Sequence, residues 1–470
     1  MKRGVILEDK ILNVKKIVEI SEGVLISGDG EAMPEGFSQD TRKIEKGYIY
    51  VGIKGEHTDG NDFIDIAFEN GAIGCIIDKL PSGDMLEKYK DKAIIHVNNT
   101  IEAMQKIAGY KRSLYNIPVV GITGSVGKTS TKDIIASVLS QKYNVLKTEG
   151  NYNTQIGLPL TLLRLKEHTA AVIEMGMSDL GQISKLTHIA KPTVCVFTNI
   201  GTSHIESLGS RENILKAKLE MLEGISDEKI VVINNDNDLL NDWAKNETKY
   251  TIHTYGIKNE SEYMAYNIKP FEFGSKYSID INNSTYEIDV PVAGEAFVYN
   301  GLAGVAVGNL LGIEMGKITN GVSKFELTPN RMSIEKMKDG VTLINDVYNA
   351  SYDSMKLALE NLKNIQAEKR IAVLGDMLEL GEFSEEMHEK VGEEVVKNNV
   401  DILITVGTKA AYIAETAWTL GMRNTHCCND YEEALKILHR ILKQNTAVLI
   451  KGSRGMKLER MVEAFRREFV

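Results

Sequence analysis

Short uninterrupted apolar runs alternate along this chain with longer stretches in which apolar positions return every three or four residues, the pattern of buried strands followed by helices. The β-rich runs Tyr48 to Ile53 and Ala72 to Ile77, followed by the amphipathic run Ile101 to Leu114, predict a small α/β domain over residues 1–112. From Ile117 the runs Ile117 to Thr123, Ala170 to Met175, Thr193 to Thr198 and Lys229 to Ile233 each lead into a partly helical stretch, which predicts a parallel sheet covered on both faces. Residues 265–291 alternate as a β-meander, and Ala296 to Leu311 reads as a long helix rich in small residues. Pro329 and Asn330 then punctuate the chain. After them come strands at Val341 to Ile344, Arg370 to Leu374, Ile402 to Val406 and Ala447 to Ile450. Helical candidates at Ser354 to Leu362, Glu385 to Lys397, Tyr412 to Leu420 and Tyr431 to Leu442 lie between them. The expectation is an α/β protein of three domains, 1–112, 113–328 and 329–470, the last an open sheet of Rossmann-like type.

Length agrees, since 470 residues exceed one hydrophobic core and roughly 150 residues per domain gives about three. With 43% apolar residues, 26% charged and 8 Pro, the chain is expected to fold throughout. Lys2 and Arg3 begin like a signal peptide, but the apolar run Gly4 to Leu7 stops at Glu8-Asp9-Lys10. No uncharged apolar stretch reaches a membrane span, so the expected address is the cytoplasm. Cys75, Cys195, Cys427 and Cys428 lack metal or disulfide spacing and read as reduced thiols. A net charge of -10 disfavours nucleic acid and anionic membranes, so an anionic substrate would require positive groups gathered locally.

Those groups have an obvious place. Val119 to Ser130 reads as a buried strand, a glycine-rich turn and a helix. In such a turn Gly124 and Gly127 let backbone N–H groups face phosphate oxygens, while Lys128 offsets β/γ-phosphate charge and Thr129 reaches a divalent cation. The common G-x-x-x-x-G-K-[ST] form requires Gly where Ile122 stands, so this is a variant.

The shorter G-x-x-G-K-[ST] form resembles that of the Mur ligase superfamily, and the resemblance extends over essentially the whole chain. Asn151 to Pro159 is similar to its asparagine-rich loop, Val172 to Gly176 to the strand end with a magnesium-binding glutamate, and Thr198 to Glu206 to the segment with a metal-site histidine. Asp346-Val347-Tyr348-Asn349-Ala350-Ser351 and Val373 to Gly381 resemble the D-alanyl-D-alanine-adding branch. Tyr352 stands where the family commonly has Pro, and Leu327 to Arg331 replaces its usual Pro-Gly-Arg linker while keeping Arg331.

The resemblance implies a UDP-substrate-binding first domain, a central P-loop ATPase-like domain, and a Rossmann-like third domain that closes for catalysis. It implies an ATP-dependent amide-bond-forming ligase that uses Mg²⁺, acts through an acyl phosphate, and takes UDP-N-acetylmuramoyl-tripeptide and D-alanyl-D-alanine. A monomer is expected. The residues implied for ATP are Gly124, Ser125, Val126, Gly127, Lys128, Thr129, Ser130, Asn300, Arg331 and Asp346. Those for the metal are Thr129, Glu174, His204 and Lys218, the last as a carbamate, with Lys128, Lys218 and His204 catalytic. Ser38, Asp40, Thr41 and Arg42 are implied for the UDP-substrate, Lys451, Ser453 and Arg454 for the acceptor dipeptide, and Asn153, Asn349 and Asp376 for substrate binding. Taken singly, Glu174 reads equally as a strand-terminal acid and His204 more often as an ordinary loop or core histidine, and the competing reading of Lys218 is a solvated helix lysine. The order of Glu174 and His204 after the phosphate loop, at the strand ends where ligands sit in parallel sheets, favours the functional reading for both, while for Lys218 that reading is what the resemblance implies.

Overall fold

The computed structural model of the chain describes residues 12–271 and 274–469. The Gly4 to Leu7 run and its charged boundary therefore lie outside the described residues. Among the described residues there are three sheets, of five, nine and six strands.

The first sheet runs in the order Val24–Ser27, Ala93–His96, Gly74–Ile77, Tyr48–Val51, Gly36–Ser38, parallel except at its first edge. The helix Thr100–Ser113 closes this region, capped by Asn99. It also anchors the next: Arg112, buried, donates to the carbonyls of Ala190 and Lys191 in the central domain.

The central sheet keeps the expected parallel strands Val119–Thr123, Ala170–Glu174, Val194–Phe197 and Ile230–Asn234, and adds Val145–Lys147 and Thr251–Gly256. It is not purely parallel. The meander Tyr263–Phe271, Gly274–Ile281 and Ser284–Val290 is antiparallel and joins the sheet's edge through the pairs Tyr255↔Tyr263 and Gly256↔Met264. The helices Lys128–Leu139 and Glu295–Leu310 pack together over this sheet. Gly304 makes that contact possible, since a Cβ there would lie 2.6 Å from Ile134 Cγ2.

The third sheet has the order Ser333–Lys336, Thr342–Asp346, Thr446–Lys451, Lys369–Gly375, Ile402–Val406, Thr425–Cys428, antiparallel only at the first edge. Period-two alternation divides its two faces. Leu343, Ile371, Val373, Ile404, Val448 and Ile450 form one core with the carboxy-terminal helices. Ile344, Ala372, Leu374, Leu403 and Leu449 face the other way and belong to the large core that continues through the central domain. No helix of the described residues is long and apolar enough to cross a membrane.

Candidate active site

Parallel strands deliver their carboxyl ends to one edge, and the phosphate loop leaves Val119–Thr123 at that edge of the central sheet. Gly124 (φ 154) is demanded by contact, because a Cβ would lie 1.9 Å from Thr198 Oγ1. Gly127 (φ 83) caps the helix Lys128–Leu139 and meets Asn300 Oδ1. The segment after Val194–Phe197 braces the loop: Ser125 N donates to Asn199 O (3.0 Å), Val126 N to Asn199 Oδ1 (2.8 Å), and Gly201 N to Ser125 Oγ (2.9 Å). Thr131 Oγ1 donates to Asn300 Oδ1 (3.0 Å), so Asn300 steadies the helix start as well as facing the site. Lys128 folds its ammonium back onto its own loop, 2.7 Å from Gly124 O and 3.3 Å from Ser125 O. Burial above all lowers its pKa; Glu174 opposes that shift and the Arg331 cation adds to it.

Glu174, 1% exposed, ends the neighbouring strand. Its carboxylate accepts from Thr129 Oγ1 (3.0 Å) and from Asn153 Nδ2 (2.7 Å), so three of the expected residues meet on one group. Lys218 lies on the helix Arg211–Leu219 and is 2% exposed. Among the described residues no anion raises its pKa: burial first, then the Lys128 cation, push it well below the usual lysine range. A solvated surface lysine is thereby excluded. His204 takes a left-handed backbone (φ 66) at the start of a short helix, with Nδ1 3.2 Å from Glu379 Oε2.

The third domain completes the enclosure. A cavity of about 480 Å³ is lined from the central domain by Ser125 to Ser130, Asn153, Glu174, His204, Lys218 and Asn300. Arg331, Asp346, Asn349 and Lys451 line it from the third domain. The Arg331 guanidinium stacks 3.6 Å from the Tyr348 ring centre. Its Nε is buried without a hydrogen-bond partner, a donor suited to an anion. Asp346 accepts from Lys451 Nζ at 2.5 Å, both side chains being buried, and Lys451 also donates to Asn349 O. Lys451 thus works first as the counter-ion that holds Asp346 and the following turn.

Other expected residues stand outside the cavity lining. Asp376 accepts from Ala410 N (2.6 Å), and Ser453 Oγ accepts from Leu378 N (2.9 Å); both secure the loop behind the site. Arg454 is exposed at the rim, 5.8 Å from the Tyr348 ring. Ser38, Asp40, Thr41 and Arg42 form a compact turn on the first domain, where the Arg42 guanidinium holds the Asp40 carboxyl below the usual carboxylate range. Lys43 joins that turn to the central domain by donating to Tyr152 OH (3.2 Å). Sequence reasoning assigned no role to Asn199, Tyr348, Asp353 or Glu379. All except Asp353 lie inside segments quoted for their resemblance, and that membership was the available signal. Asp353 follows one of them closely and accepts from Thr202 N (2.9 Å) across the seam.

The chain matches the Mur ligase middle domain over residues 122–308 and the Mur ligase, glutamate ligase domain over residues 330–454. It is 37% identical over 457 residues to the UDP-N-acetylmuramoyl-tripeptide--D-alanyl-D-alanine ligase of Bacillus subtilis, covering 96% of this chain and 97% of that one. The Escherichia coli enzyme of the same name is 30% identical over 460 residues, with 96% and 98% covered. Among solved structures, MurF from Acinetobacter baumannii superimposes with a TM-score of 0.86 at 26% identity, covering 97% of this chain and 98% of that chain. MurF from Thermotoga maritima in complex with ADP does so with 0.79 at 30% identity, covering 92% and 97%. By full-length similarity, by domain content and by the residues gathered at this cavity, the chain belongs to the Mur ligase family, on the branch of the UDP-N-acetylmuramoyl-tripeptide--D-alanyl-D-alanine ligases.

Proposed function

We propose that this protein joins D-alanyl-D-alanine to UDP-N-acetylmuramoyl-tripeptide at the expense of ATP, giving the pentapeptide, ADP and phosphate in the building of peptidoglycan precursors. The observation that carries this reading is the single cavity on which the phosphate loop, Glu174, His204 and Lys218 meet Arg331 and Asp346. A peptide carboxylate is a poor acyl donor because its leaving group would be oxide. Transfer of the γ-phosphoryl group makes it an acyl phosphate, which the dipeptide amine attacks with release of phosphate. Lys128, Arg331 and the loop amides from Gly124 to Ser130 hold the phosphates in line and offset their charge. Asp346, fixed by Lys451, presents a carboxylate oxygen to the ribose. The first-domain turn Ser38 to Arg42 holds the UDP end, so residues 1–112, 113–328 and 329–470 each take one part of the ternary complex. Asn153 faces the tripeptide, while Asn349, Asp376, Ser453 and Arg454 shape the acceptor side.

Mg²⁺ fits this donor set on one condition. Among the described residues no cluster of three or more His, Cys, Asp and Glu could hold an ion alone. Thr129, Glu174 and His204 need a further hard oxygen donor, and Lys218, buried in the same cavity lining, would supply one as the carbamate formed with CO₂. When bound, Mg²⁺ would screen the phosphate oxygens during transfer. We place the protein in the cytoplasm as a monomer, where its nucleotide substrates are.

The test is phosphate release from purified protein given ATP, Mg²⁺ and D-alanyl-D-alanine with either the L-lysine or the meso-diaminopimelate UDP-tripeptide. Release that requires both peptide substrates, with pentapeptide by mass spectrometry, is the expected result. ATP hydrolysis indifferent to both substrates would defeat the reading.

A further inference from the structure

Glu379 reaches His204 from another domain. It sits in a left-handed conformation (φ 61) on the loop after the strand Lys369–Gly375, and its Oε2 lies 3.2 Å from His204 Nδ1. The arm that carries it is fixed at its root. Asp376 accepts from Ala410 N (2.6 Å), Met377 N donates to His388 Nε2 (3.0 Å), and Leu378 N donates to Ser453 Oγ (2.9 Å). Beyond the arm, Gly381 is pressed against Glu206, where a Cβ would lie 2.9 Å from Glu206 Cγ. The loop that carries His204 is held from the same side, because Asp353 accepts from Thr202 N (2.9 Å) and Thr202 Oγ1 (3.0 Å). The third domain therefore grips the histidine's loop at two points.

An imidazole has two unlike nitrogens, and the partner of one decides which carries the proton. A carboxylate at Nδ1 keeps a proton there and leaves the Nε2 lone pair free. The Glu379 side chain is 66% exposed, so the pair contributes little to stability, and its value lies in orientation. We propose that Glu379 is a positioning residue, supplied across the domain seam, that holds His204 as the Nδ1–H tautomer and so readies the metal site only when the third domain is docked. The proposal rests on the reading of His204 as a metal ligand given above.

Two measurements on the intact protein test it. Histidine-selective ¹⁵N spectra, recorded without metal near pH 8.5 where free imidazoles are neutral, report the tautomer directly. The His204 signal is identified by its loss in His204→Asn. Wild type should show the Nδ1–H form, Glu379→Ala should shift toward Nε2–H, and Glu379→Gln, whose amide oxygen still accepts, should lie between. Mn²⁺ titration by electron paramagnetic resonance in the presence of ADP should show binding about 10–100-fold weaker in Glu379→Ala, at an unchanged melting temperature. An unchanged tautomer in Glu379→Ala overturns the inference whatever the metal affinity does. Unchanged Mn²⁺ affinity in His204→Asn instead refutes the ligand reading and removes the basis of the inference with it.

Discussion

Lys128 and Lys218 share a cavity and a lowered pKa, yet their surroundings give them opposite tasks. Lys128 has two loop carbonyls to hold its ammonium, as a phosphate-neutralising cation should. Lys128→Ala should leave the circular-dichroism spectrum intact while lowering kcat by more than tenfold, a barrier rise above about 1.4 kcal/mol; a steady-state assay checks this. Among the described residues no anion holds Lys218, and its proposed role is as a carbamate. Lys218→Ala should lose activity that acetate or formate partly restores by placing a carboxylate in the vacated volume, whereas near-normal kcat in the unrescued variant would contradict the assignment. His388 titrates differently. It is fully buried, donates from Nδ1 to the Ser384 carbonyl and accepts from Met377 N, an arrangement that only the neutral ring satisfies. Burial lowers its pKa against the opposing pull of the Ser384 carbonyl and then of Asp376, while Lys409 adds to the lowering. The unfolded chain therefore takes up a proton that the folded chain resists. The stabilisation is complete above the ordinary value of about 6.5 and fades as pH falls through it. His388→Gln, which can reproduce both hydrogen bonds without titrating, should flatten the fall in melting temperature between about pH 7 and 5.5.

The phosphate loop shows why some elements are legible in sequence and others are not. Strand, turn and helix are adjacent there, and the glycines carry the signal. Gly124→Ala should abolish nucleotide binding by driving a methyl into Thr198, which equilibrium titration with a fluorescent ADP analogue would measure. In the third domain the apolar runs place the strands Ile402–Val406 and Thr446–Lys451 within a residue of their bounds, because a fully buried parallel strand is a continuous apolar run. Val145–Lys147 is too short for periodicity to register, and Thr251–Gly256 is half exposed and polar. The meander was legible as strands, but its fusion to the central sheet depends on two residue pairs that no local pattern announces. The site divides in the same way. The motif segments were readable, but not every partner within them: Glu379 lies in one and Asp353 just after another, and their contacts with His204 and Thr202 exist only through docking.

At the scale of the whole molecule, the seam between the second and third domains is made to a close tolerance. A Cβ on Gly201 would lie 2.3 Å from Asp353 Oδ2, and one on Gly294 (φ 113) 1.8 Å from Asn361 Oδ1. Gly201→Ala should therefore impair docking without disturbing either sheet. Small-angle scattering with an ATP analogue and the UDP-tripeptide should give a larger radius of gyration for the variant than for wild type, and kcat should fall. Wild type itself should contract on taking those ligands; an identical radius with and without them would count against closure. The order in which the chain supplies this site has a consequence for its synthesis. The phosphate loop is synthesised first, Arg331 and Asp346 come about two hundred residues after it, and Lys451, which holds Asp346 in place, comes later still. A chain terminated before Arg331 would carry the phosphate loop and lack the groups that line the pocket from the third domain.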